Sequence, residues 1–333
     1  MGRVYAHWFS QNPHCHVVAF YNRTFATAET LAREYSGSKS YKTWQEITAR
    51  PDIDIIGICT PSHEHLEQIE HACAHDKHIL CEKPMAKDLN ESIKLCRLTE
   101  SSAPKIGIGF QMRFHPVVRL VDKLLPRIGD IFHLDFNFGM YRPENTWRHQ
   151  GVQGGGVLKE LGSHLLDLAC HWAGDICGVQ AVNRIVADDR EVEDYSLNIL
   201  EFANGVSGYL FSNYFDRRGR SIKGNIFGSQ GQISWQFSSY DPADSKVKLY
   251  SDSGVQDIEV KLPADIDSVY PGHLDSFHLE INDFADSIVK NRRPHCGIAE
   301  GHRAMLLTDA SYRSSRQQER IPVGKETYEN VKL

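Results

Sequence analysis

Short apolar runs alternate with segments of helical periodicity over the first third of the chain. The apolar runs predict strands at residues 16–21, 53–59, 78–81 and 105–110, and the periodic segments predict helices at residues 24–35, 63–75 and 90–101. Ser62 stands where its side chain can cap the second of these helices. The regular alternation of strand and helix predicts a doubly wound, parallel α/β sheet.

Hydrophobic and polar residues alternate with period two in much of the remaining sequence. Strands are predicted at residues 131–138, 196–202, 206–214, 221–227 and 246–250, and two long helical patterns follow at residues 276–290 and 300–315. The pattern predicts a C-terminal α+β domain with a large, open, mostly antiparallel sheet. Because 333 residues exceed the usual size of one hydrophobic core, we expect two domains, residues 1–112 and 113–333.

Composition and charge exclude several classes of function. Hydrophobic residues make up 41% and charged residues 24% of the chain, and the net charge is −6, so neither a disordered chain nor a dominant nucleic-acid-binding surface is expected. No apolar run approaches the ~20 residues of a membrane span, so no membrane association is expected. The 8 cysteines form no CxxC pair and predict free thiols in a reducing cytoplasm. The 17 histidines lack metal-ligand spacing, and we expect no metal.

Two polar segments follow directly after predicted strands. Residues 60–65 read Thr-Pro-Ser-His-Glu-His, and residues 81–84 read Cys-Glu-Lys-Pro. Ligands of open α/β sheets bind beyond the carboxyl ends of the strands, where both segments are expected. Pro84 restricts the loop, so Lys83 is held in place and could bind a substrate hydroxyl or share in proton transfer. The alternative is a solvated lysine at the end of a strand.

A second group of polar residues follows three glycines at residues 154–156. If the segment after them is helical, Glu160 and His164 lie one turn apart on one face. A histidine titrates near neutral pH and suits proton exchange with a hydroxyl, and a carboxylate one turn away could orient its ring. The alternative is a polar pair that only satisfies the start of a helix.

These segments, taken in order, resemble the Gfo/Idh/MocA family, which includes glucose–fructose oxidoreductases and inositol dehydrogenases. The resemblance covers nearly the whole chain. It rests on TP-x-x-x-H at residues 60–65, EKP at 82–84, Arg-Phe-His-Pro at 113–116, Trp-Arg at 147–148, GGG-x-x-x-E-x-G-S-H-x-x-D at 154–167, Phe-Ala-Asn-Gly at 202–205 and Ala-Ser-Tyr-Arg-Ser-Ser at 310–315. Each element is weak by itself, whereas their common order and spacing are specific.

The resemblance implies hydride transfer between a nicotinamide cofactor and a hydroxyl-bearing carbon of a sugar, cyclitol or related polyol. It implies that Lys83, His164 and Glu160 are catalytic, although many members have aspartate where this chain has Glu160. The implied cofactor-binding residues are Gly2, Asn22, Arg23, Thr24, Thr60, Pro61, His65, Glu82 and Lys83. The implied substrate-binding residues are Lys83, Arg113, Trp147, Arg148, Asp167 and His164. Asp167 could instead buttress the site, and a homo-oligomer through the C-terminal sheet is also implied.

The end of the strand at residues 16–21 bears on the choice of cofactor. An enzyme that binds NAD usually has Asp or Glu there to bind the ribose 2′-hydroxyl. This chain has Asn22, Arg23 and Thr24. A guanidinium can pair with a 2′-phosphate, which an acid would repel, so NADP is favoured over NAD. The alternative is that Arg23 only precedes the next helix and the specificity is loose.

The start of the sequence lacks part of the family pattern. A dinucleotide-binding domain ordinarily begins with a buried strand and G-x-G-x-x-G, and Gly2 fits only the last glycine. We therefore expect a Rossmann-type sheet without its first strand. Either the gene start was placed at an internal Met, or the chain is a damaged cofactor binder.

Two other functions stay open within the same fold. Some relatives are non-catalytic sensors that bind the dinucleotide and act as transcription co-regulators, but such a sensor does not need Lys83, Glu160 and His164 together. Others are redox-assisted glycosidases, which retain NAD and hydrolyse a glycoside through transient oxidation. Turnover of a polyol, or release of a sugar with no net change in nicotinamide absorbance, would separate these alternatives.

Overall fold

The computed structural model describes residues 1–99, 104–142, 155–238, 244–261 and 274–324. The chain forms two compact units. Unit 1 contains Met1–Phe110 and Phe277–His302, and unit 2 contains Gln111–Ser276 and Arg303–Asn330. A single division after residue 112 assigns the later segment 277–302 to the second domain. The strand and helix pattern used for that division does not indicate which unit a distant helix packs against.

Unit 1 contains a parallel sheet that is divided in two. Its strands are β1 (Ala19–Tyr21), β2 (Lys39–Tyr41), β3 (Ile55–Ile58), β4 (His78–Cys81) and β5 (Ile106–Ile108). Strand β1 pairs with β2, and β3, β4 and β5 form a separate sheet in that order. Among the described strands none joins β1 to β3. The described strands thus show the doubly wound, parallel arrangement that was predicted, with an interruption between β1 and β3.

Helices pack around these strands. They are α1 (Gly2–Gln11), α2 (Phe25–Glu34), α3 (Trp44–Thr48), α4 (His65–Ala74), α5 (Leu89–Thr99) and, later in the chain, α8 (Leu274–Val289) and the start of α9 (Ile298–Gln317). Helix α1 contacts both parts of the divided sheet. Ala6 packs in one apolar cluster with Phe20 of β1 and Leu31 of α2, while the ring of Tyr5 lies against Gly57 of β3. Helix α1 therefore links the two parts.

The structure corrects one local expectation in unit 1. Ser62 does not cap α4, because Ser62 to Glu64 form a short 3-10 helix and α4 begins only at His65. Glu64 occupies the N-cap position and makes no side-chain capping bond. Ser62, His63 and Glu64 therefore form a separate, tighter turn, and the α-helix begins two residues later than predicted.

Unit 2 is built on a nine-stranded sheet. Its strands are β6 (Ile131–Gly139), β7 (Ile176–Arg184), β8 (Tyr195–Phe202), β9 (Ser207–Asn213), β10 (Ser221–Gly228), β11 (Gly231–Ser238), β12 (Lys246–Ser251), β13 (Gly254–Ile258) and β14 (Ile321–Pro322). The order across the sheet is β13-β12-β11-β10-β6-β9-β8-β7-β14. Strands β6 and β9 are parallel, and the other neighbouring pairs are antiparallel. The predicted open, mostly antiparallel sheet is confirmed.

Helices α6 (Pro116–Leu124) and α7 (Ser163–Ala173) accompany this sheet. The core between sheet and helices is aromatic: Trp235 of β11 lies 5.2 Å from Phe136 of β6 and 5.4 Å from Trp172 of α7, measured between ring centroids. This packing fixes α7, which carries several of the predicted site residues, against the centre of the sheet.

All 8 cysteines of the chain lie in described ranges and are free thiols, as predicted. In the part of the chain that the structure describes, no helix has the length and apolar character that crossing a membrane requires. Within the same ranges, no three metal-ligating side chains converge on one point.

Candidate active site

His65 joins the two loops that follow β3 and β4. Its Nε2 lies 2.9 Å from the carbonyl oxygen of Thr60, and its Nδ1 lies 3.0 Å from the carbonyl oxygen of Pro84. The side chain is buried, and burial lowers the pKa of the imidazole. His65 thus lies between the two polar segments found in the sequence, and in its neutral form it donates to one of the two carbonyl oxygens at a time. Whether it also contacts a cofactor stays a prediction.

Glu82 and Lys83 occupy the second of these loops, directly after β4. Lys83 is half-buried and precedes a cis peptide bond to Pro84. Glu82 is buried, and its Oε1 accepts no hydrogen bond from the described residues. Burial raises the pKa of Glu82, while the charge of Lys83 and the Tyr5 hydroxyl oppose that rise. The loop therefore combines a cation with a buried acceptor at the carboxyl edge of the sheet.

The loop after β1 contains the residues expected to select the cofactor. The backbone N–H of Thr24 donates to Oδ1 of Asn22 at 2.8 Å, which shapes a tight turn before α2. The Arg23 side chain is exposed on this turn. Gly2 is the first residue of α1 and is also exposed. Gly2, Asn22, Arg23 and Thr24 are therefore all exposed to solvent.

In unit 2, Glu160 lies on a turn that is not α-helical. Leu158 to Gly162 form a π-helical turn that continues into α7 at Ser163. The segment after the glycines is thus helical but begins as a π-turn, so Glu160 and His164 do not have the spacing of a regular α-helix. Glu160 accepts hydrogen bonds from Arg142, at 2.7 Å, and from the hydroxyl of Tyr214.

His164 is 2% exposed in the first turn of α7. Arg113 and Asp167, both predicted to bind substrate, bind each other: Nε and Nη2 of Arg113 donate to the two carboxylate oxygens of Asp167 at 2.7 and 2.6 Å. Both side chains are buried. This bidentate ion pair supports the buttressing role that the sequence left open for Asp167, and substrate contact by either residue stays a prediction.

Trp147, Arg148 and the first glycine of the triplet, Gly154, lie outside the described residues. Their roles stay predictions.

Sequence reasoning missed Glu193, which contacts the glycine turn before α7. The backbone N–H of Leu158 donates to its Oε1 at 3.0 Å, and the hydroxyl of Tyr312 lies 2.8 Å from the same oxygen. Burial raises the pKa of Glu193 to about 7. An acidic residue in a loop before a strand is ordinary, so nothing in the sequence marked it.

The described loops of unit 1 fit a dinucleotide. Residues 22–24, 60–61 and 82–83 each follow a parallel strand, and such a row of loops is where open α/β sheets bind nucleotides. Oε1 of Glu82 is a buried acceptor to which no described residue donates, and a hydroxyl or amide of a ligand could satisfy it. The exposed Arg23 offers positive charge at the end of β1.

Two family models match the chain. Residues 1–110 match the oxidoreductase family with an NAD-binding Rossmann fold, and residues 123–234 match the GFO/IDH/MocA C-terminal domain. Among curated relatives, the inositol 2-dehydrogenase of Rhizobium meliloti is 24% identical over 97% of this chain and 96% of its own. The levoglucosan dehydrogenase of Pseudarthrobacter phenanthrenivorans is 25% identical over 89% of this chain and 86% of its own. An NADP(+) scyllo-inositol 2-dehydrogenase of Bacillus subtilis is 27% identical over 50% of this chain and 48% of its own.

The fold has a clear counterpart among solved structures. A levoglucosan dehydrogenase in complex with NADH and levoglucosan superposes with a TM-score of 0.88 at 23% identity, covering 97% of both chains. Together the two family models match 222 of the 333 residues, in the expected order. The chain therefore belongs to the Gfo/Idh/MocA family of oxidoreductases.

Proposed function

We propose that this oxidoreductase transfers a hydride between a nicotinamide cofactor and a hydroxyl-bearing carbon of a sugar, cyclitol or related polyol. The observation that carries the proposal is the constrained loop Glu82–Pro84, which His65 anchors and which presents Lys83 at the carboxyl edge of the sheet. Relatives named for levoglucosan and inositol oxidation support the same class of substrate.

Each side chain of the proposed site has a defined task. His164 exchanges the proton of the substrate hydroxyl, and the ammonium group of Lys83 polarises a substrate oxygen. Glu160, fixed by Arg142 and Tyr214, supplies negative charge on the turn that leads to His164. When bound, the nicotinamide ring supplies the hydride acceptor or donor. Arg113 and Asp167 keep α7 in place through their buried ion pair.

NADP is the favoured cofactor in this proposal. Arg23 is exposed on the turn after β1, where no carboxylate is present to repel a 2′-phosphate. Levoglucosan dehydrogenase is described in complex with NADH, so the preference for NADP rests on residues 22–24 of this chain.

Fluorescence titration should give a higher affinity for NADPH than for NADH. Arg23→Ser should reduce the NADPH affinity alone, whereas Arg33→Ser on the exposed side of α2 should change neither; an NADH-favouring ratio in the native chain would contradict the preference.

The decisive experiment on activity is a screen of NADP⁺ and NAD⁺ against a panel of polyols, sugars and sugar phosphates. Reduction of the cofactor at 340 nm supports the proposed oxidoreductase. Cofactor binding without turnover of any substrate would favour the sensor. Release of a sugar from a glycoside with no net absorbance change would favour the glycosidase.

We also propose that the open face of the unit 2 sheet pairs with a second copy of the chain in the cytoplasm. Apolar side chains from neighbouring strands lie on this face, including Ile199 of β8 and its cross-strand partner Tyr209 of β9. Contiguous exposed apolar surface of this kind usually marks an interface. The free thiols support a reducing compartment.

A further inference from the structure

The glycine turn before α7 is shaped around the carboxyl group of Glu193. Gly155 and Gly156 have positive φ angles of +107° and +75°, which residues other than glycine rarely adopt. A Cβ atom on Gly156 would lie 2.2 Å from the carboxyl atoms of Glu193. The absence of a side chain at this position thus lets the carboxyl group sit directly on the backbone of the turn.

Glu193 and Tyr312 hold the turn through a small hydrogen-bond network. Oε1 of Glu193 accepts from the N–H of Leu158, the first residue of the π-helical turn. The Tyr312 hydroxyl lies 2.9 Å from the carbonyl oxygen of Gly155 and 2.8 Å from Oε1 of Glu193. A hydroxyl carries a single proton and can donate to only one of these oxygens at a time. Both contacts are satisfied together only when the carboxyl group supplies a second proton.

We propose that Glu193 is a positioning residue that, with Tyr312, holds the turn at residues 155–158 and thereby sets the place of Glu160 and His164. The inference rests on the proposed function of those two residues. The path is short: Glu193 accepts a hydrogen bond from Leu158, Glu160 is two residues further along the chain on the same π-helical turn, and His164 follows in the first turn of α7. Neither Glu193 nor Tyr312 needs to touch a substrate.

The electrostatic surroundings of Glu193 support a change of state near neutral pH. Burial raises the pKa of Glu193 to about 7, although the Tyr312 hydroxyl, the Leu158 N–H and the charge of Lys159 each oppose that rise. Tyr214 faces the group from the segment after β9, and Arg316 acts on Tyr312 from the same helix, α9. Among the described residues, Lys159, Tyr214, Tyr312 and Arg316 therefore act on Glu193 or on its tyrosine partner.

The two states of Glu193 hold the turn differently. Below the pKa, the neutral carboxyl group donates to Tyr312, and Tyr312 donates to the carbonyl oxygen of Gly155. Above the pKa, Tyr312 donates to the carboxylate, and the buried Gly155 carbonyl loses its donor. The turn that precedes Glu160 is therefore held by one hydrogen bond fewer when Glu193 is ionised.

The variant Glu193→Gln distinguishes a role in positioning the turn from a general role in folding. A glutamine amide does not titrate, so its contacts with Leu158 and Tyr312 are the same at every pH. We expect the ratio of native to Glu193→Gln kcat to fall by about threefold or more between pH 6 and pH 8, as the loss of one ordinary hydrogen bond in the native chain predicts. Glu191→Gln, the same change at an exposed position in the same loop, should give a flat ratio. A flat ratio for Glu193→Gln overturns the proposal.

Hydrogen–deuterium exchange of the amides of residues 155–162 tests the same inference without activity. After correction for intrinsic exchange, protection in the native chain should fall between pH 6 and pH 8, and protection in Glu193→Gln should not. Tyr312→Phe removes the hydroxyl and should leave protection low at both pH values. Unchanged protection in the native chain overturns the inference even if turnover is found. The expected exchange pattern with no turnover of any substrate supports the role in holding the turn and counts against the proposed function.

Discussion

At the scale of single residues, His115 shows how burial can make stability depend on pH. Its ring stacks on Phe237 at a centroid distance of 3.9 Å, and its Nδ1 accepts the N–H of Val117 at the start of α6. Burial lowers the pKa of His115 to about 3. As the pH falls below ~6.5 the unfolded chain therefore takes up a proton that the folded chain refuses, and each pH unit costs about 1.4 kcal/mol of unfolding free energy down to the folded pKa.

His115→Asn keeps a capping side chain but does not titrate. We expect the urea midpoint of the native chain to fall more steeply between pH 6.5 and pH 4 than that of His115→Asn. His16→Asn, at an exposed histidine, serves as the control and should follow the native curve. Parallel curves for His115→Asn and the native chain would refute the assignment.

The catalytic assignments are also tested at single residues. His164→Ala and Lys83→Ala should each lower kcat by about two or more orders of magnitude with folding intact. The first removes the group that exchanges the substrate proton, and the second removes the group that polarises a substrate oxygen. Turnover is measured with the substrate that the cofactor screen identifies, and folding is checked by circular dichroism.

Two matched variants make this comparison specific. His171→Ala changes an exposed histidine on the same helix as His164, and Lys87→Ala changes an exposed lysine shortly after Lys83. Both should keep near-native turnover. Near-native turnover in His164→Ala and Lys83→Ala as well would show that neither residue has the proposed role.

At the scale of elements, the ion pair between Arg113 and Asp167 fixes α7 to the short helical turn at residues 111–114. Asp167→Ala leaves a buried guanidinium without its counter-charge and should reduce the free energy of unfolding by about 3–5 kcal/mol. Urea denaturation measures this loss. Asp52→Ala, which breaks a solvent-exposed pair with Arg50, should barely change the midpoint. Equal midpoints for Asp167→Ala and the native chain would mean that the pair does not hold α7.

The sequence pattern predicted elements best where one periodicity is unbroken. Residues 78–81 were predicted as a strand with the bounds that β4 has in the structure, and the long patterns near the C-terminus match α8 and α9 within a few residues. Strand β11 was missed, although Ile233, Trp235 and Phe237 alternate with polar residues. Residues 228–231 were recognised as a turn, but no strand was predicted directly after that turn.

The candidate site was predictable as motifs but not as contacts. Lys83 and His65 stood in recognisable segments, whereas the pairing of Arg113 with Asp167 joins residues 54 positions apart. The π-helical turn also escaped prediction, because residues 158–162 have no sequence signal that distinguishes it from an α-helix. Glu193 acts through burial and through a tyrosine 119 positions away, and neither property is local.

At the scale of the whole molecule, the open sheet face predicts an oligomer. Ile199 and Tyr209 are 51% and 42% exposed and lie side by side on β8 and β9. Ile199→Lys places a charge in the proposed interface and should shift the chain towards the monomer, as measured by analytical ultracentrifugation across a range of concentrations. Lysine tolerates an exposed strand position, so folding should persist.

Val255→Lys on the edge strand β13 is a suitable control, since it introduces the same charge at another exposed apolar position. It should leave the sedimentation coefficient unchanged. A native chain that sediments as a monomer at every concentration would count against the interface.

The interruption between β1 and β3 makes helix α1 an element that holds the two parts of the unit 1 sheet together. Ala6 packs with Phe20 of β1, and the Tyr5 ring lies against Gly57 of β3. The loop after β1 and the loops after β3 and β4 therefore keep their common position in part through this helix, so a change in the buried face of α1 would reach all three loops at once.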